Sequence, residues 1–442
     1  MEKRRSRIDP ISQQLIVIGF LILLLLIPGG LILGLVGERR ARSEEAKREV
    51  ASGWAEAQTI GGPILTIPFT KRWKDEKGQT HTETDYIYIL PESLRYTGEV
   101  EPEIRYRGIF KVVLYRAKLS CEGTFSTAGL EELHIPPENI RWHEAFLFLG
   151  LSDLRGINEY VKIRWNDRDD LRFVTGIDGV GFFLPLINAK VPIEDRAGEY
   201  AFSFPLDLNG CETLSFLPVG GTTVVELQST WADPSFVGAF LPKSRRITED
   251  GFHATWKVLA LNRNYPQQCT EGLPASEIQE TSFGVTLFSP VDHYTQTTRA
   301  VKYGILFVGL TFLIFFGVEV LNRRRIHPIQ YLLVGLALCL FYLLLLSLAE
   351  HLGFLPAYLL AAAAVVALIT FYAAGVLRER IAVVATAFTL AGLYGFLYFL
   401  LINEDYALLI GSLGLFAIMA MVMYLTRKID WYALGTSREN GE

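Results

Sequence analysis

Residues 323–350 read RRRIHPIQYLLVGLALCLFYLLLLSLAE. Three arginines come first. Ile329–Leu348 then hold no charge at all, and an acid closes the stretch. A helix rises about 1.5 Å per residue, so roughly 20 apolar residues cross the ~30 Å hydrocarbon core of a bilayer. The stretch reads as a membrane span with its basic end in the cytoplasm. Five further runs have the same texture: Leu15–Val36, Tyr303–Leu321, Phe354–Leu377, Ile381–Ile402 and Tyr406–Leu425. The last five spans follow one another with loops of a few residues, so they pack as antiparallel neighbours in a bundle. Leu15–Val36 is an isolated span. It exceeds the usual core of a signal peptide, and Gly37-Glu38-Arg39-Arg40 is a poor cleavage site, so it reads as an uncleaved anchor. Pro28-Gly29-Gly30 inside it would kink or loosen the helix.

The loops fix an orientation. Arg323, Arg324 and Arg325 follow the second span, Arg378 and Arg380 the fourth, and Arg427 and Lys428 the sixth. The alternate loops, 349–353 and 403–405, have no Lys or Arg and carry Glu350, Glu404 and Asp405. This alternation puts both termini in the cytoplasm and residues 37–300 outside. Arg39, Arg40, Arg42, Lys47 and Arg48 then lie on the outer side, an exception that long translocated domains tolerate. The expected organisation is a cytoplasmic N-terminus at 1–14, an anchor helix at 15–36, an outer domain at 37–300, a five-helix bundle at 301–426 and a cytoplasmic tail at 427–442.

Composition separates the two regions. Half of the 442 residues are hydrophobic, too many for a disordered chain. Residues 37–300 hold 29 Lys/Arg and 37 Asp/Glu, a net of −8, and the remaining 178 hold 13 and 10, a net of +3. Neither balance suits a nucleic-acid partner. Residues 38–57 are rich in helix formers and read as a short solvated stalk continuing from the membrane. From Ile60 the pattern changes to strands. Residues 64–72 and 80–90 flank a hairpin turn at 74–78, and Val113, Tyr115, Ala117 and Leu119 share one face of an alternating run. Gly220-Gly221 joins the strand at 214–217 to a returning one at 223–229. Many short strands with regular turn signals predict a large antiparallel sandwich or a pair of sandwiches. The fold class is thus an all-β outer domain plus a membrane helical bundle. Among the cysteines, Cys121, Cys211 and Cys269 lie in the outer domain, where an oxidising compartment would allow one disulfide.

No catalytic signature is present: no G-x-S-x-G, no H-E-x-x-H and no P-loop. Gly61-Gly62-Pro63 reads as a turn. His81, His134, His143 and His253 are scattered, with solvated or capping roles. Three polar pairs would share the outer membrane rim: Asp292-His293, Glu350-His351 and Glu404-Asp405. Such groups can converge on a proton or a metal, with His293 and His351 as the weak candidate metal ligands, but they also serve simply to hydrate loops. At the inner edge Glu319 stands one turn before Arg323, spaced for an i, i+4 ion pair. His327 precedes Pro328 at a helix start, suited to capping. Trp431 and Tyr432 suit an interfacial anchor. The tyrosines at 331, 342, 358, 372, 394 and 398 fit helix packing better than a substrate path. No cofactor is indicated.

Longer strings carry more information than composition. Residues 326–351, Trp231–Pro242 (WADPSFVGAFLP), Gly251–Gln267 (GFHATWKVLALNRNYPQ), Pro290–Gly304 (PVDHYTQTTRAVKYG), Glu404–Gly411 (EDYALLIG) and the tail MYLTRKIDWY occur in order along the chain. This pattern strongly resembles the CreD family of bacterial inner-membrane proteins. The resemblance implies one large periplasmic domain and a link to cell-envelope integrity or stress. It implies no reaction, cofactor or catalytic residue. The recurrent strings include the acid and histidine positions of the rim. The reading is therefore a non-enzymatic membrane protein whose β-domain engages an envelope protein or cell-wall component, with the lipid bilayer as its constant partner. The competing classes are a transporter or membrane enzyme for a lipid-linked or cell-wall intermediate, and a sensor that needs a separate kinase.

Overall fold

The computed structural model describes residues 10–74, 79–176, 181–193, 198–287, 293–321, 326–377, 380–403 and 406–427. They fall into two compact units, one of Met1–Ser43 with Val291–Glu442 and one of Glu44–Pro290.

The helical unit contains α1 (Pro10–Ser52, whose final residues enter the other unit) and, from farther along the chain, α3 (His293–Leu321), α4 (Pro328–Leu352), α5 (Phe354–Leu377), α6 (Arg380–Ile402) and α7 (Ala407–Thr426); α2 (Ala275–Glu280) belongs to the β unit. Six of these helices are long and apolar enough to cross a membrane. Helix α1 runs unbroken through Pro28, and it does not stand alone. Ile18, Leu21 and Leu25 are buried in a core shared with α3, α4, α5 and α6. Gly335 makes the approach possible, because a β-carbon there would collide with Leu25 and touch the Phe312 ring. The isolated anchor expected from sequence is thus a packed member of the bundle. The bundle centre is aromatic: Phe341 lies 4.7 Å from Tyr394 and 5.4 Å from Tyr358 by ring centroids, and the Tyr358 hydroxyl donates to the Tyr394 carbonyl at 2.7 Å. Most tyrosines of the spans are therefore packing residues. Helix α7 leaves Leu408, Leu413 and Phe416 exposed, as a lipid-facing helix does.

The other unit holds seventeen strands among the described residues. They are β1 (Gln58–Lys74), β2 (Thr80–Ile89), β3 (Ser93–Arg107), β4 (Phe110–Ser126), β5 (Phe146–Leu151), β6 (Lys162–Trp165), β7 (Arg168–Arg172), β8 (Val174–Thr175), β9 (Leu186–Lys190), β10 (Glu199–Cys211), β11 (Thr213–Phe216), β12 (Thr222–Ser229), β13 (Pro234–Gly238), β14 (Ser244–Thr248), β15 (Gly251–Leu259), β16 (Gln268–Cys269) and β17 (Phe283–Leu287). One sheet runs β13-β17-β11-β1-β5-β9-β8, with β2 also paired to β1 and β16 to β2, and the other runs β14-β15-β12-β3-β4-β10-β6-β7. The two enclose one apolar core, crossed by ring contacts such as Tyr96–Phe216 at 5.1 Å and Trp256–Phe283 at 5.9 Å.

Three expectations change here. The sheets are mixed rather than antiparallel, because β1 runs parallel to β11 and β12 parallel to β3. Gly220-Gly221 does not close a hairpin, since β11 and β12 belong to different sheets and the glycines carry the chain between layers. Gly61-Gly62-Pro63 is not a turn but an irregularity inside β1, where the register against β5 shifts. The hairpin of β1 and β2 forms with Leu65 opposite Ile89; residues 75–78 at its tip lie outside the described residues. The three outer-domain cysteines are separate thiols. Burial pushes the Cys269 thiol up to about 11 and the Cys211 thiol up to about 12, which favours the protonated thiol over the thiolate.

Residues 38–52 continue the helix as expected and are mostly exposed at first, but from Ala46 onward the segment is docked rather than solvated. The end of α1 and the residues after it lie on the outer face of the second sheet. Val50, Ala51 and Trp54 form a small core with Val112, Leu114 and Cys211. This explains why β4 is buried on both faces from Val112 to Tyr115. Polar contacts reinforce the seat. Trp54 Nε1 donates to the Tyr115 carbonyl, the Arg105 guanidinium lies 4.4 Å above the Trp54 ring, and Arg107 pairs with Glu49. Asp153 accepts from the Glu56 amide at 3.0 Å and from Arg155, whose Nη1 donates to the Ser52 carbonyl at 2.9 Å.

Candidate functional site

The polar groups of the helical unit gather at two places along α1, and at each one α1 supplies a donor to a carboxylate of another helix. Arg39 on α1 meets Glu350 near the end of α4. Its Nε donates to Oε1 at 2.7 Å and its Nη2 to Oε2, the two-pronged geometry that suits guanidinium and carboxylate. The Tyr294 hydroxyl on α3 adds a third donor, 3.0 Å from Glu350 Oε1. The Glu350 side chain is 5% exposed and that of Arg39 29%. A charge buried to that degree is stable only when paired and hydrogen-bonded, and here the pairing draws on three helices. His293 stacks beside Tyr294, with ring centroids 4.3 Å apart.

The other place is built on Glu319, near the end of α3, which is 9% exposed. Gln14 Nε2 donates to Glu319 Oε2 at 2.9 Å and to the Ile326 carbonyl at 3.1 Å, and the Tyr331 hydroxyl donates to the same carboxylate oxygen at 3.0 Å. His327 caps α4: its Nδ1 accepts from the Ile329 amide at 3.3 Å, while Gln330 Oε1 accepts from the His327 amide at 3.0 Å. Gln14 and Arg39 are 25 residues apart, about 37 Å along a helix, comparable to the thickness of a bilayer core.

Of the rim residues singled out from sequence, Glu350 and His293 come together around Tyr294, whereas His351 is exposed. Asp292, Glu404, Asp405 and Arg323 lie outside the described residues, as do Trp431 and Tyr432. Among the described residues no group of three or more His, Cys, Asp or Glu side chains gathers as a metal site. Sequence reasoning missed Arg39, Tyr294 and Gln14. The signal for Arg39 was present: it is one of the basic residues on the acidic side of the first span, and its charge is met by the acid of an otherwise uncharged loop. Gln14 and Tyr294 carry no pattern that marks them.

In the β unit the ionisable groups form ordinary structural pairs. Arg155 holds the Asp153 carboxyl below the usual carboxylate range, and Arg116 with Asn158 does the same to Asp207. The surface of this unit carries open hollows. One of about 470 Å³ lies on the outer face of the second sheet, and one of about 450 Å³ lies beside Tyr160 and Val174.

The family model described as inner membrane protein CreD matches residues 10–432. Inner membrane protein CreD of Escherichia coli (strain K12) is 35% identical over 422 residues, covering 93% of this chain and 92% of that protein. Among solved structures, an M1 zinc metallopeptidase from Deinococcus radiodurans aligns at 14% identity over 38% of this chain and 39% of that chain, with a TM-score of 0.22. Likeness at that level supports no statement on fold or activity.

Proposed function

This chain belongs to the CreD family of inner membrane proteins, and from that premise we propose that it is a non-catalytic protein of the cell envelope whose β-domain binds an envelope component. The observation that carries this reading is the state of Glu350. Of the four rim carboxylates it is the one among the described residues, and both its oxygens are engaged, by the Arg39 fork and the Tyr294 hydroxyl. A group so committed serves packing. The binding surface on this reading is the β-domain, which carries the two hollows described above. The basic loops 323–325 and 378–380 support an orientation with that domain in the periplasm and both termini in the cytoplasm. A role in envelope integrity follows from the family resemblance and from that placement.

Photo-crosslinking in cells tests the reading. A crosslinking amino acid is placed in the full chain at exposed β-domain positions such as Tyr160 and Leu261, and at a lipid-facing position on α7. A defined envelope product from the β-domain positions, missing from α7, is expected. Products equal to those of the α7 control would overturn it. Loss of an envelope phenotype in Glu350→Gln with a folded, packed bundle would instead favour chemistry at the rim.

A further inference from the structure

The outer face of the second sheet is mostly filled by cross-strand ion pairs: Arg116 with Asp207 at 2.5 Å and Lys118 with Glu101 at 2.6 Å. One stretch departs from that pattern. Across the neighbouring strands β12-β3-β4-β10-β6, about 19 Å at a strand spacing near 4.8 Å, a row of short side chains, most of them hydroxylated, lies between longer ones. Thr222, Ser93, Thr124, Ala201 and Ser203 form the floor, and the Ser93 and Thr124 hydroxyls lie 2.8 Å apart. The result is the open trough of about 470 Å³, within the ~300–1,000 Å³ range of small-molecule sites.

Longer groups wall it. Arg95 rises on one side, bonded to Glu226 at 2.9 Å and 3.8 Å from Glu122, and Arg164 on the other, bonded to Asp169 at 2.8 Å. Asn166 closes the end, at the β6–β7 turn. It is held there because its Oδ1 accepts from the Ala201 amide at 2.8 Å. Arg95 and Arg164 are met by Glu226, Glu122 and Asp169, so the trough offers no excess of positive charge to an anion. An arginine carries five N–H donors, more than one such pair uses. Interleaved donors and acceptors of both kinds, with small apolar areas at Val224 and Ala201, complement a chain of hydroxyl and acetamido groups. They complement neither a polyanion nor an apolar peptide.

We propose that this trough is a glycan site that takes a short, uncharged, hydroxyl-rich oligosaccharide segment. The inference rests on the reading of the β-domain as an envelope-binding module and names its ligand class.

The test uses the full chain in nanodiscs. A β-1,4-linked N-acetylglucosamine trimer is titrated by NMR, against an oligogalacturonate trimer of the same length that carries charge. The neutral trimer should bind and the charged one should not. Ser203→Trp, which fills the floor, and Arg95→Ala, which removes a wall, should each weaken binding about tenfold or more. Gln228→Trp, an exposed position farther along β12, should leave it unchanged. Absence of binding at millimolar trimer, equal binding of both trimers, or indifference to Ser203→Trp and Arg95→Ala would overturn the assignment. Arg95→Ala keeps the test decisive if the tryptophan variant fails to fold. If envelope crosslinks of the β-domain persist in a chain whose trough binds no glycan, the trough is wrong and the broader reading stands. If the crosslinks themselves are absent, both fall.

Discussion

Both regions of the chain have arginine–carboxylate forks, and two of them, Arg39–Glu350 and Arg107–Glu49, differ sharply in depth. In the helical unit, Arg39 holds a Glu350 side chain that is 5% exposed. In the β unit, Arg107 holds Glu49, with both side chains more than half exposed. The chemistry is the same and the energetics are not. Removing one partner of a buried pair strands the other in a medium that cannot solvate it. Removing one partner of an exposed pair returns the other to water. The deep fork is therefore a condition for assembling the bundle, while the shallow one adds little to a seat already made by Trp54, Val112 and Leu114.

The largest effect belongs to the deep fork. Glu350→Ala should destabilise the helical unit by on the order of 3 kcal/mol, read as a lowered melting midpoint in detergent, with Arg39→Ala similar and the swap Arg39→Glu with Glu350→Arg recovering much of the loss. An unchanged midpoint in Glu350→Ala would put both forks in one class. Next, Leu114→Ala removes the side chain that α1 covers on the β unit, and should cost about 2–4 kcal/mol as a cavity substitution. Chemical unfolding of the full chain measures it, and a cost below ~1 kcal/mol would mean the end of α1 is a loose stalk after all. Gly335→Ala places a methyl against Leu25 and Phe312, an overpacking cost of about 1–3 kcal/mol. A neutral result there would argue that α1 leaves the bundle easily.

A smaller, pH-dependent effect is expected in the β unit. The folded carboxyls of Asp153 and Asp207 lie below their ordinary value, so their contribution to stability is complete above pH ~4 and declines as pH falls through the lowered values. Acid unfolding should become shallower in Asp153→Asn and Asp207→Asn; identical acid transitions would remove these pairs from the account. Glu49→Ala, at the shallow fork, should change stability by less than about 1 kcal/mol.

The comparison also separates what sequence reasoning could reach from what it could not. Six uninterrupted apolar runs are visible without a structure, because length alone decides whether a helix can cross a bilayer. Alternation likewise revealed β4, β10, β12 and β15, since one face of each meets the core. The packing of α1 was hidden. Leu15–Val36 is apolar nearly all round, so no periodicity marks Ile18, Leu21 and Leu25 as its buried face. The docking of Val50 and Trp54 was hidden for a similar reason. A pair of apolar residues on an otherwise charged helix has no visible partner until the outer face of β4 is recognised as apolar at Val112 and Leu114. Parallel pairing of β1 with β11 and β12 with β3 joins segments more than 100 residues apart, and no local signal encodes it. Of the rim, the acid at 350 was legible, and its arginine was seen only as an exception to a charge rule.

Helix α1 touches its bundle partners through Gln14, Ile18, Leu21, Leu25 and Arg39. The spacing of 25 residues between the outermost two is close to seven turns at 3.6 residues per turn. The two polar grips therefore share one phase, and the apolar run between them acts as a measured spacer. A single residue inserted between Leu25 and Arg39 would swing the arginine about 100° away from Glu350 while the lower grip stayed engaged. The first span is thus constrained in number as well as in composition. Substitutions of one apolar residue for another on its lipid face are free, and a frame-preserving insertion or deletion of one residue is not.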